Sequence, residues 1–148
     1  MFITQTNSVE ETELLAQRIA KKLSTPVVVA FFGGLGMGKT AFTRGLAKGL
    51  GLDCDVTSPT FALVHEYRGD KITLYHFDMY RVETWDDLYS TGFFDYYQKG
   101  SVIACEWSEN IENALPENTV RVYIERGEHD EQRNFKIEGY GEYENFVC

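Results

Sequence analysis

Val27-Val28-Val29-Ala30-Phe31-Phe32, followed at once by Gly33-Gly34-Leu35-Gly36-Met37-Gly38-Lys39-Thr40, is the stretch on which the fold turns. The first six residues, bounded by Pro26 and Gly33, are apolar and mostly β-branched or aromatic, and predict a buried strand. The next eight match G-x-x-x-x-G-K-[ST] in full, and residues 39–50, closed by Gly49 and Gly51, predict the helix that follows. Glycines at 33, 36 and 38 permit a tight turn whose successive N–H groups converge on one hollow at the positive end of that helix. Such a hollow suits phosphate oxygens. Lys39 can then reach the β- and γ-phosphates, and the Thr40 hydroxyl can join the oxygen shell of Mg²⁺. The ligand-free alternative is a glycine-rich strand-to-helix turn; the strand before the loop and the helix after it favour nucleotide binding.

Working outward, 148 residues suit a single domain, residues 1–148, able to bury roughly 70% of its unfolded surface. Fourteen basic against 23 acidic residues give a net charge of -9, which disfavours a broad phosphate-backbone footprint and leaves solubility or a basic partner as readings. The three cysteines, Cys54, Cys105 and Cys148, are odd in number and lack C-x-x-C spacing. They predict reduced thiols in a cytoplasmic protein rather than a disulfide framework or a zinc site. The amino terminus turns polar by Thr4, so neither a leader nor a membrane segment is expected.

Residues 8–23 carry Leu14, Leu15, Ile19 and Leu23 at helical spacing, with Ser8 three residues before Glu11 as a capping box. Residues 61–67 and 72–77 flank Arg68-Gly69-Asp70-Lys71 and predict a hairpin. Residues 86–89 predict a helix ended by Gly92, and Phe93, Phe94, Tyr96 and Tyr97 read as core or interface. Residues 120–124 and 134–137 predict closing strands. The expected fold is α/β and P-loop NTPase-like, with a mainly parallel central sheet, antiparallel hairpin additions and flanking helices.

Asp78 follows the strand Ile72-Thr73-Leu74-Tyr75-His76-Phe77, and Glu106 follows Val102-Ile103-Ala104-Cys105. Ligands of open α/β sheets sit at the carboxyl ends of strands, so both acids can face a metal and a γ-phosphate. Either alone could instead be a helix cap or a surface ion pair. Glu106 is favoured for the metal and Asp78 for ordering water. His65, His76 and His129 share no ligand spacing and are read as structural or surface residues. No N-K-x-D guanine-reading element is present, which favours adenine.

Four motifs together, Gly33 to Thr40, Thr57-Ser58-Pro59-Thr60-Phe61, His76-Phe77-Asp78-Met79-Tyr80-Arg81 and Glu106-Trp107-Ser108-Glu109, closely resemble the bacterial TsaE family, formerly YjeE. The resemblance runs from the first helix to about Arg133. It implies an ATPase that serves threonylcarbamoyladenosine formation in tRNA, with ATP and Mg²⁺ as ligands. It implies nucleotide contacts along Gly33, Gly34, Leu35, Gly36, Met37, Gly38, Lys39, Thr40 and Ala41, with catalytic roles for Lys39, Asp78 and Glu106 and metal ligation by Thr40 and Glu106. Ser58 to Phe61, Thr60 included, would form a nucleotide-sensing switch loop, and Thr12 and Arg133 would line the adenine site. Gly34 departs from the acidic residue frequent there in the family. The implied partners are a threonylcarbamoyl transferase subunit and its paralogous partner (TsaD/TsaB-like), which would hold the tRNA while the ATP cycle resets them.

Two other classes stay open. A small-molecule kinase would transfer phosphate to an acceptor, for which Arg81 is a thin lid candidate. A nucleotide-dependent scaffold would bind ATP without needing to cleave it.

Overall fold

The computed structural model describes residues 1–33, 38–57, 59 and 63–140. Among them runs one seven-stranded sheet, flanked on both faces by helices. Its strands are β1 (Phe2–Thr6), β2 (Val27–Phe32), β3 (Val64–Arg68), β4 (Thr73–Asp78), β5 (Val102–Glu106), β6 (Val120–Arg126) and β7 (Arg133–Glu138), in the spatial order β1-β7-β6-β2-β5-β4-β3. The centre, β6-β2-β5-β4, is parallel. Antiparallel pairs extend it at both edges, β3 on β4 at one and β7 with β1 on β6 at the other.

β2 is buried at every position, as a parallel strand covered on both faces must be. Its side chains alternate between two cores. Val27, Val29 and Phe31 join α1 (Val9–Ala20) and α2 (Lys39–Gly49) on one face. Val28, Ala30 and Phe32 meet α3 (Trp85–Ser90), α4 (Phe93–Gln98) and the 3₁₀ segment Ser108–Ala114 on the other. α2 is seated on the first face by Phe42, fully buried between the rings of Phe31 and Phe135 at 5.4 and 5.7 Å. α1 lies close along α2 because Gly45 and Gly49 have no side chain: a Cβ at Gly45 would sit 2.7 Å from Ala16 Cβ, and one at Gly49 2.6 Å from Ala20 Cβ.

Several expectations are refined. β1 was not anticipated, because Phe2-Ile3-Thr4-Gln5-Thr6 does not alternate apolar with polar residues and is short; its partner β7 supplies the ladder. β3 begins at Val64, since Leu63 is left-handed (φ 63) and cannot continue a strand. Gly92 ends α3 but also caps α4, taking φ 82 between them. Ser8 caps α1 by accepting from the Glu11 N–H at 3.1 Å. Among the described residues, no helix is long and apolar enough to cross a membrane.

Candidate nucleotide site

Side-chain alternation sets the site. Leu74, Val102 and Ala104 belong to the core on the α1–α2 face, so the period of two sends His76, Asp78 and Glu106 to that same face. Asp78 and Glu106 stand opposite each other in the β4–β5 register. The two acids expected at strand ends are thus neighbours at the carboxyl edge of the sheet. Glu106 is buried, and one of its oxygens, Oε2, lies 2.6 Å from Nε2 of the fully buried His76. The Asp78 carboxylate accepts the Tyr80 N–H at 2.9 Å.

Lys39, only 4% exposed, opens α2. Its ammonium stands 5.2 Å from the centroid of Trp107, the residue after Glu106, which brings the helix start to the edge that carries the acids. Trp107 is held in the left-handed region (φ 59), unusual for a bulky side chain. Its ring packs edge-on against Tyr80 at 4.9 Å. Gly38 takes φ 93 and its carbonyl accepts the Phe42 N–H at 2.9 Å, closing the first turn of the helix; Thr40 and Ala41 are half-buried in that turn. At the other end of the loop, Gly33 (φ 147) passes so close to β6 that a Cβ would lie 2.6 Å from the Ile124 carbonyl oxygen.

Thr12 and Arg133 come together beside this turn. Thr12 shares a 2.7 Å hydroxyl contact with Thr6, and Thr6 pairs with Arg133 across β1 and β7. The Arg133 side chain lies alongside Gly38, with Cγ and Nε 3.6 Å from where a Cβ would stand. Its Nη1 donates to the carbonyls of Asp130 and Gln132, while Nε is buried without a partner. A buried donor of this kind invites an acceptor. Gly34, Leu35, Gly36, Met37, Ser58, Thr60 and Phe61 lie outside the described residues, so the centre of the loop and the switch element are not placed here.

The structure adds two contacts that the sequence did not specify. His76, read as structural or surface, is fully buried and braces Glu106, a partner on another strand that its spacing from the other histidines could not name. Trp107 was quoted in a motif without a role; only the packing of Lys39 gives it one. Cys105, on the opposite face, is chemically quiet: burial pushes its thiol up to about 12.

A strand, a glycine-rich turn, a helix and two acids at the adjoining strand ends define the class: a P-loop NTPase-like α/β protein. Comparison with known proteins narrows it. The family model for threonylcarbamoyl adenosine biosynthesis protein TsaE matches residues 6–135. A tRNA threonylcarbamoyladenosine biosynthesis protein TsaE from Bacillus subtilis is 35% identical over 139 residues, covering 94% of this chain and 86% of the relative. The one from Streptomyces coelicolor is 40% identical over 133 residues, covering 86% and 90%. The crystal structure of Bacillus subtilis YdiB superposes with a TM-score of 0.81 at 31% identity, covering 99% of this chain and 90% of that one. The chain belongs to the TsaE family, whose members act in tRNA threonylcarbamoyladenosine biosynthesis.

Proposed function

We propose that this chain is a Mg²⁺-dependent ATPase, acting in the cytoplasm, whose nucleotide cycle resets a two-subunit threonylcarbamoyl transferase complex between turnovers. The observation that carries the reading is that Lys39, at the start of α2, lies against Trp107, the residue after Glu106, at the sheet edge where Asp78 and Glu106 stand in register at the ends of β4 and β5. The residues fit the proposed ligands. Lys39 and the N–H groups of the first helical turn suit phosphate oxygens. The buried, unpartnered Nε of Arg133 beside Gly38 offers a donor to the nucleotide, with Thr12 nearby. Thr40 and Glu106 would provide hard oxygen ligands of the kind Mg²⁺ prefers, and the 2.6 Å contact with His76 would hold the Glu106 carboxylate in place. When bound, Mg²⁺ would neutralise charge on the β- and γ-phosphates. Asp78 would orient the attacking water from the neighbouring strand end.

ATP binding and hydrolysis would shift the affinity for the partner subunits by favouring one arrangement of the 58–61 loop. The deciding experiment is multiple-turnover threonylcarbamoyl transfer to tRNA by the reconstituted pair of subunits, with and without this chain and ATP. Sustained turnover should require both, and Lys39→Ala should abolish ATP binding and the effect together. Turnover indifferent to this chain, or phosphate delivered to a small acceptor instead of released to solution, would overturn the proposal.

A further inference from the structure

A groove of about 300 Å³ between the start of α3 and the 3₁₀ segment Ser108–Ala114 is not used by the nucleotide site. The buried Val82, Leu88 and Ile111 close its base, while most of the surface it offers is polar. Trp85 forms a wall and remains 55% exposed. Glu83 and Glu109, both exposed, supply carboxylates, and no lining residue is cationic. Glu112 also lines the groove but is paired with Arg121 at 3.1 Å. Among the described residues no ion pair engages Glu83 or Glu109.

An occupant that suits this lining lays a short apolar stem against the Trp85 indole and brings positive charge to the carboxylates at the rim. Lysine and arginine do both, burying an aliphatic stem while the charged head meets an indole face and a carboxylate. The same carboxylates repel nucleic-acid phosphates and anionic lipid headgroups. The groove is also linked to the nucleotide site. Asn110, on its lining, donates to the carbonyls of Met79 and Tyr80 at 2.9 and 3.2 Å, fixing the chain just after Asp78. Tyr80, itself 60% exposed, touches Trp107, whose ring neighbours the Lys39 ammonium. Exposed tryptophan and tyrosine beside a concavity are the residue types that carry binding energy in protein interfaces.

We propose that this groove docks an arginine or lysine side chain projecting from a protein partner, next to residues that contact the nucleotide site. Naming that partner as the transferase pair rests on the function proposed above; the chemistry of the groove does not. Two measurements keep them separate. In the first, acetyl-arginine amide is titrated into the chain while the Trp85 indole N–H is followed by NMR, with acetyl-norleucine amide as the uncharged control. A saturable shift with the arginine probe alone, lost in the E83Q/E109Q double variant, is expected; an indole resonance that ignores arginine would overturn the proposal. In the second, the transferase pair is bound to immobilised chain in Mg-ATP. Trp85→Ala and E83Q/E109Q should each weaken binding about tenfold while the free chain's affinity for Mg-ATP stays unchanged. Equal binding by wild type and variants would overturn the docking site, as would a Trp85→Ala defect confined to tRNA binding or to self-association. If wild type fails to bind the pair yet the arginine titration saturates, the groove's chemistry stands and the transferase reading falls.

Discussion

His76 and Glu106 are coupled more tightly than their separation in sequence suggests. Each is buried, and the 2.6 Å contact satisfies a polar atom on both. Removing one partner leaves the other desolvated and unpaired, which costs about 1–3 kcal/mol. His76→Leu should therefore lose that much in urea denaturation, and His76→Gln, which keeps an N–H donor, should lose less. Cys105 gives an independent check on the opposite face. Because burial raises its thiol to about 12, almost no thiolate exists near neutral pH, and the thiolate is the reactive form. Mass spectrometry after iodoacetamide treatment should find Cys105 unmodified in the native protein and alkylated in denaturant. Asp78 and Glu106 were legible as candidates because each ends an apolar run. His76 was not, since its relevance lies in a contact across two strands.

At the scale of elements, the α1–α2 seam sets two effects against each other. Replacing Gly45 by alanine improves helix propensity by about 1 kcal/mol. The added Cβ, however, would press on the Glu13 carbonyl and sit 2.7 Å from Ala16 Cβ, and overpacking of that kind costs about 1–3 kcal/mol. Backbone cannot swing aside as a side chain does, so steric strain should win and Gly45→Ala should lower the melting temperature. At α3 the capping box is complete: Thr84 Oγ1 accepts from Asp87 N–H at 3.1 Å, and Asp87 Oδ2 accepts from the Glu83 and Thr84 N–H groups at 3.1 and 3.2 Å. Thr84→Ala should cost about 1 kcal/mol in chemical denaturation. The Glu83 N–H, followed by Thr84, holds the Asp87 carboxyl below its usual 3.8. The sign follows from that depression: its stabilisation is present above the unfolded value and lost as pH falls through the lower folded one. A carboxyl-carbon NMR titration should give an Asp87 midpoint under 3.8. The helix was readable around residues 86–89, whereas the equally short α4 behind Gly92 is mostly aromatic, Phe93, Phe94, Tyr96 and Tyr97, and such a run reads as core without a helical period.

For the whole molecule, the candidate nucleotide site draws on distant parts of the chain. Arg133 from β7, Thr12 from α1 and Gly38 at α2 converge through pairings that span most of the sequence. If that convergence holds a nucleotide, Mg-ATP must stabilise the folded state as a whole, by about 2.7 kcal/mol at one hundred times its Kd. Thermal scans should show an upward shift for wild type and none for Lys39→Ala. By itself the sequence determined the phosphate-loop strand and helix, the parallel centre of the sheet and the two carboxylates, because glycine spacing, apolar runs and strand ends are local signals. Only the tertiary structure decided that β1 closes one edge, that His76 grips Glu106, that Trp107 stands by Lys39 and that an acidic, tryptophan-walled groove lies beside them. Those are contacts between residues far apart in sequence, and no local pattern of side chains encodes which strand will lie next to which.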